Sequence, residues 1–429
     1  MRKFLLSLSI WILVSALAMG AGFQLFEAGS KATGFAGAFT AQASDPSSIF
    51  YNPAGIAFLD GYQFYLGATF ITPKSSFEGE NPYPGVGVKE EQEPMLFYPP
   101  GIYFVMPIGE KLRVGLGIFS PFGLATKWKN KDTFTGRFVS QYADLKHIAI
   151  NPAVAYRVTD NLAVGVTFDY RISSVALERN VPLFDPFTFT VKDIAHLKLS
   201  SKFKNSGFGF SVGALWKVKE NYNIGLSYRH KVEIDYDGEA EFTQISTGNP
   251  VLDQLVKLSI PFGKTPGKAT IVYPGMASLG FSTTALKNWT FEVDLNWTQW
   301  STYNKLPIEF TEHPELNPSE ESMKKYYEDV FSVRAGAERK FSEKFALRFG
   351  YVFDKSPSLS ESVSPMLPDA NRHGVTIGFS YDFGKFYIDV ANMFLFFEKR
   401  STEGKNTEGY NGTYKTFANL FGIHIGYKF

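Results

Sequence analysis

The 429-residue sequence has no cysteine, no long apolar run beyond its first twenty positions, no basic run and no grouped histidines. Without cysteine, nothing in the fold depends on disulfides or thiolate chemistry, and export is not excluded, because an oxidising compartment permits disulfides without requiring them. Without a run near eighteen apolar residues there is no helix able to span a bilayer, which takes about 20. A net charge of +1, from 43 Lys and Arg against 42 Asp and Glu, gives no electrostatic footprint for nucleic acid. The six histidines, His147, His196, His230, His313, His373 and His424, are scattered singly without metal-ligand spacing, and there is no Gly-x-Ser-x-Gly elbow. The expectation is therefore neither an enzyme nor a protein with a metal or other cofactor.

Aromatic residues, in contrast, are abundant. They make up 16% of the chain, with 42 Phe and 22 Tyr, more than a soluble core of this size needs. The mean hydropathy of -0.10 would nevertheless suit a soluble protein. Interfacial aromatic girdles around a membrane β-barrel reconcile the two. Residues 1–20 read as a cleaved secretory signal peptide: Arg2 and Lys3, an apolar stretch from Phe4 to Ala18, and small residues at Ala18 and Gly20, so that the mature chain starts near Ala21.

The organising signal is a period of two, that of a strand with one apolar face. Phe417, Phe421, Ile423, Ile425, Tyr427 and Phe429 share one face, against Ala418, Gly422, His424, Gly426 and Lys428 on the other. Trp289, Phe291, Val293, Leu295 and Trp297 interleave with Thr290, Glu292, Asp294, Asn296 and Thr298, and Leu162 to Tyr170 and Tyr222 to Arg229 alternate in the same way. One face suits lipid and the other a polar interior. Laid out along the chain, such segments predict about fourteen strands, near 61–72, 99–107, 111–120, 146–158, 161–178, 200–219, 221–243, 270–286, 288–303, 328–340, 343–355, 370–383, 385–400 and 413–429. Six tight turns, at Ile108 to Glu110, Thr159 to Asp160, Glu220, Lys287, Phe341 to Ser342 and Gly384, alternate with seven long connections, of which 73–98 and 244–269 are the longest. That order fits an all-β, antiparallel up-and-down barrel with periplasmic turns and external loops, closed because an open edge would leave backbone donors unpaired in hydrocarbon. Residues 61–429 would form the barrel in the outer membrane of a Gram-negative-type bacterium. Residues 21–60, rich in Gly and Ala yet studded with Phe, lack the period of two and are too apolar for a disordered tail, so they are expected to plug the lumen.

Several short segments carry a family likeness. Ala21-Gly22-Phe23-Gln24-Leu25 followed by Asn52-Pro53-Ala54, then Pro121 to Thr126, Phe134 to Phe138, Asn151-Pro152 with Ala155-Tyr156, Trp297-Thr298-Gln299-Trp300-Ser301 and Pro368-Asp369-Ala370-Asn371-Arg372 lie in collinear order. In these the chain resembles the FadL/TodX family, outer-membrane channels for long-chain fatty acids and other hydrophobic compounds. The resemblance implies a fourteen-stranded barrel with an N-terminal hatch that includes Asn52, Pro53 and Ala54. It implies passive uptake by capture at external loops, binding in an apolar pocket, and sideways release through a gap at a kinked third strand. It places that kink at Pro121 and Gly123; read alone, this Gly and Pro pair is rather the start of an ordinary loop, the commoner use of the two residues. It also carries over Phe23 as a pocket-lining residue and Arg179 as the head-group cation, with Lys324 and Lys325 near the family's second base. Taken alone, Arg179 is a solvated rim residue or a partner of Glu178.

Two external segments are candidate capture surfaces. In 179–199, Leu183, Phe184, Phe187 and Phe189 are more apolar than an exposed loop should be, and in 244–269 Leu252, Leu255 and Val256 have helical spacing. A groove between them would hold an acyl chain; alternatively each loop packs a small core of its own. The expected partners are a hydrophobic small molecule such as a long-chain fatty acid, outer-membrane lipids and the barrel assembly machinery, with the chain acting as a monomer. The rival function is a general diffusion porin, since Arg229, Glu292, Asp294, Arg334 and Arg348 would also line a water-filled eyelet.

Overall fold

The computed structural model describes residues 22–185 and 188–429; the expected signal peptide at 1–20, and Phe187, lie outside them. Fourteen antiparallel strands close into a barrel: β1 (Gln63–Gly79), β2 (Pro100–Ile108), β3 (Leu112–Phe119), β4 (Tyr142–Thr159), β5 (Leu162–Asp185), β6 (Asn205–Lys219), β7 (Tyr222–Arg229), β8 (Met276–Thr283), β9 (Trp289–Thr298), β10 (Val330–Lys340), β11 (Phe345–Asp354), β12 (Arg372–Asp382), β13 (Phe386–Phe397) and β14 (Gly412–Lys428). Each pairs with its neighbour, and β1 pairs with β14 over its full length, from Gln63 opposite Lys428 to Gly79 opposite Gly412, so no edge is left open to lipid. Along β5, Val164, Val166 and Phe168 are exposed while Ala163, Thr167 and Asp169 are buried, which is the alternation expected of a wall between hydrocarbon and a filled interior.

Two segments that read as single strands are each broken. Residues 221–243 split into β7 and a separate strand, Val232–Gln244, and residues 270–286 split into Gly263–Tyr273 and β8. Together with Thr190–Ser201 and Ile308–Phe310 these separate strands form a sheet beyond the membrane-spanning part. The alternation hid the break because its parity does not change. Leu226 in β7 is exposed to lipid, whereas Val232, Ile234 and Tyr236, on the same even positions, are buried inward. The expected loop at 179–199 is likewise largely strand: β5 runs on to Asp185 and pairs there with Thr190–Ser201 as a raised hairpin.

Residues 22–59 fold inside the barrel as two short helices, α1 (Ser30–Gly34) and α2 (Ser48–Tyr51), and a 3-10 turn at Pro53–Phe58, nearly all of it buried. Inward-facing wall residues bolt this hatch in place. The Asp294 carboxylate accepts from the backbone N–H groups of Phe39 and Thr40, both at 2.9 Å, and Glu292 accepts from Ala41 and Gln42 at 2.6 and 3.2 Å. Arg334 donates to the Ala36 carbonyl at 2.9 Å while pairing with Asp354. Asn52 caps the turn through Ala54 N–H and donates to the carbonyls of Thr40 in the hatch and Ala214 in β6. This approach requires Gly213, since a Cβ there would collide with the Asn52 amide oxygen.

Candidate functional site

The third strand stops at Phe119, opposite Ala149 of β4, and pairing with β4 resumes only at Leu124 opposite Leu145, in the short strand Leu124–Lys127. Four residues, 120–123, therefore stand against three, 146–148, which is one residue more than the ladder can pair. The freed backbone turns to the hatch instead. Leu25 N–H donates to the Pro121 carbonyl and Gly123 N–H to the Phe23 carbonyl, each at 3.0 Å, with Gln24 bridged to Phe122. Pro121 lacks a donor, and a side chain at Gly123 would press on Leu25, 3.0 Å from the ideal Cβ, so the sequence of the break suits this contact.

At the break lies a cavity of about 790 Å³. Its walls include buried, inward residues such as Phe23, Phe122 and His147, and also Ile148 of β4 and the exposed Leu96, Tyr98 and Phe203. Because His147 and Ile148 are neighbours on β4 that point to opposite faces, the cavity passes through the wall. A second, narrower cavity of about 90 Å³ runs outward under the external sheet, lined by Val175, Leu177, Leu199, Tyr236, Ile271, Tyr303 and Ile308, with Lys268 and Lys325 among its polar residues. The two share Phe23, Leu124, Asp144, Leu145 and Leu367. Phe23 thus stands where they meet, its ring 4.9 Å from Trp300, 5.2 Å from Tyr303, 5.9 Å from Phe122 and 6.2 Å from Tyr273. Such tilted and edge-to-face contacts suit a deformable apolar wall.

The inner end of the larger cavity is polar. Arg372 pairs with Asp354 at 3.3 Å, and Asp369 accepts from Ser356 at 2.6 Å. Burial pushes the carboxyls of Glu27 and Asp369 above the usual carboxylate range, with nearby arginines acting in the opposite direction. Among the described residues no group of His, Asp or Glu is arranged to hold a metal ion.

The residues singled out in the sequence fall into three sets. Phe23, Gly123 and Lys325 line the cavities, with Pro121 in the break itself. Arg179 lies two positions beyond Leu177 on the same face of β5, exposed at the rim, outside both cavities and without an ion-pair partner among the described residues; Glu178, its sequence neighbour, pairs with His196 and Lys198. Lys324 pairs with Glu321 instead of facing the cavity. Phe184 is exposed at the hairpin tip beside Phe189, because strand extension carries it away from the barrel. Leu252 and Val256 are buried under α3 (Pro250–Ser259) and Leu255 is exposed, and none of the three lines either cavity. The cavity aromatics Tyr236, Tyr303 and Tyr327, and Tyr273 packed on the Phe23 ring, were not singled out. Their signal was apolar alternation that continues past the membrane, together with aromatics just beyond the Trp297 to Ser301 segment.

Comparison with known proteins agrees with this architecture. The chain is 27% identical over 443 residues to the long-chain fatty acid transport protein of Escherichia coli O6:H1, covering 97% of this chain and 96% of that one. It is 26% identical over 480 residues to outer membrane protein P1 of Haemophilus influenzae, spanning all of both. Among solved structures, a FadL homologue of Pseudomonas aeruginosa superposes with a TM-score of 0.82 at 20% identity, over 95% of this chain and 100% of that one. The toluene transporter TodX of P. putida gives 0.71 at 20% identity, over 96% and 99%. Residues 11–429 match the family model described as outer membrane protein transport protein (OMPP1/FadL/TodX). The chain therefore belongs to the OMPP1/FadL/TodX family, and is a transport protein of the outer membrane and not an enzyme.

Proposed function

We propose that the protein takes up long-chain fatty acids or similar hydrophobic compounds passively. The solute is captured at the external loops, held in the joined cavities around Phe23, and released sideways into the membrane at the break over residues 120–123. One observation carries this reading: a largely apolar cavity extends from beside the hatch through the barrel wall, where the ladder between β3 and β4 is interrupted. Sideways release suits an apolar solute. Each Å² that it keeps out of water is worth roughly 25 cal/mol, and the bolted hatch lies across the polar route to the periplasm. Relatives named for long-chain fatty acid and toluene transport support the solute class. At the outer mouth Lys325 and Lys268, which line the outer cavity, and Arg179 at the rim beyond it are the cations that would meet a carboxylate, since an anion left unpaired in an apolar site costs several kcal/mol.

The test is made on the purified protein in liposomes and in detergent. It should bind oleate and exclude small sugars in a swelling assay. Free sugar permeation without binding of oleate or an aliphatic detergent would make it a diffusion porin instead.

A further inference from the structure

Behind Phe122 lies a group of charged side chains that the uptake route described above does not use. Arg171 is fully buried on β5 and donates twice to the same oxygen of Asp169, at 2.9 and 2.6 Å. Its Nη1 has no protein partner, and neither does the second Asp169 oxygen. Arg229, 4% exposed at the end of β7, makes no ion pair among the described residues; one amino group donates to the Phe50 carbonyl at 2.7 Å and its Nε is unpartnered. His147, 2% exposed, lines the larger cavity, and both of its ring nitrogens are unpartnered. It lies within electrostatic reach of both arginines. Two guanidinium groups against one carboxylate leave a positive charge uncompensated in the interior, and buried charges are ordinarily paired.

The cluster sits against the break in the wall. The Phe122 ring, which lines the cavity, is 5.7 Å from the His147 ring and 5.6 Å from the Arg171 guanidinium, and Arg229 lies 5.6 Å from the ring of Phe119, the last paired residue of β3.

We propose that His147, Arg171 and Arg229 form a buried carboxylate site at the lateral gap, which takes over the solute's head group once it has left the rim bases. The inference rests on the uptake reading and adds to it a second, anion-binding station. The acyl chain lies in the cavity while its carboxylate passes the Phe122 ring to the free N–H groups of the arginines, with His147 donating from the cavity side. Asp169 opposes the anion but is already neutralised by Arg171. An anion leaving sideways is then desolvated stepwise between cations, and an uncharged solute gains nothing from the site.

The experiment compares oleate with oleyl alcohol, which share a chain and differ in charge, by titration of the detergent-solubilised full-length protein. Arg229→Met is the first variant, because it removes a cation that has no carboxylate to orphan; His147→Leu and His147→Gln are the second and third. Heat-modifiable gel mobility checks that each barrel has folded. Oleate affinity should fall about tenfold in Arg229→Met and in His147→Leu, with oleyl alcohol changed by less than about twofold, and His147→Gln should keep most of the oleate affinity because it keeps a donor. Should Arg229→Met fail to fold, the two His147 variants decide. An unchanged ratio of the two affinities, whether both fall together or neither falls, overturns the site and points to water as the partner of these groups. If the unaltered protein binds neither probe, it is the uptake reading that fails.

Discussion

Phe23 owes its place to its backbone as much as to its ring. Its carbonyl accepts from Gly123 in the interrupted strand, so the residue that joins the two cavities is also the one that ties the hatch to the break. Phe23→Ala should weaken binding of fatty acid and hydrocarbon alike, by roughly tenfold, since part of an apolar wall is lost to both and a factor of ten is about 1.4 kcal/mol. Quenching of Trp300, which packs on the Phe23 ring, provides a direct readout. At the rim the pattern differs: Arg179→Ala and Lys325→Ala should cost a fatty acid more than an alkane of equal length, and equal losses would deny either residue a head-group role. The larger effect is expected for Lys325, which lines a cavity, because exposed charges contribute little.

Among the elements, the hatch and the third strand carry the mechanism. Four hatch N–H groups, from Phe39 to Gln42, rest on the two carboxylates of β9. The double change Glu292→Ala, Asp294→Ala leaves these donors unsatisfied, at about 1–3 kcal/mol for each one that stays buried. Hydrogen exchange should rise at residues 39–42 while the barrel keeps its heat-modifiable mobility, and single-channel conductance should increase. Unchanged exchange would mean that packing alone seats the hatch. Deleting residues 22–60 should go further and open a conducting pore. The neighbouring elements show what could be read beforehand. The inward row Glu292, Asp294 and Asn296 was visible as polar residues alternating with Trp, Phe, Val and Leu. That the first two hold a hatch loop was not, because the contact joins positions about 250 residues apart. The apolar spacing of Leu252 and Val256 did mark a helix, but which face would be covered depended on the sheet beneath it.

For the molecule as a whole, closure is what makes the chain a membrane protein, since β1 and β14 pair along seventeen positions and leave no strand edge in hydrocarbon. In liposomes the intact protein should be impermeable to small sugars, while the hatch-deleted form should swell them. Equal permeability of the two would show that residues 22–60 do not obstruct the lumen.

Strand number, hairpin order and, within the membrane span, the wetted and greasy faces were settled by sequence alone, because each depends on residues two apart or on a turn between neighbours, and lipid outside a closed wall imposes that period locally. The site was settled only by tertiary structure. Phe23, Phe122, Trp300, Tyr273 and Tyr303 come from the hatch, the broken strand and two external connections, and they meet only when the barrel closes around the plug. The same apolar alternation faces lipid in β7 and the cavity in Val232–Gln244. Which medium a side chain meets is fixed by where the chain leaves the membrane, and no local pattern records that.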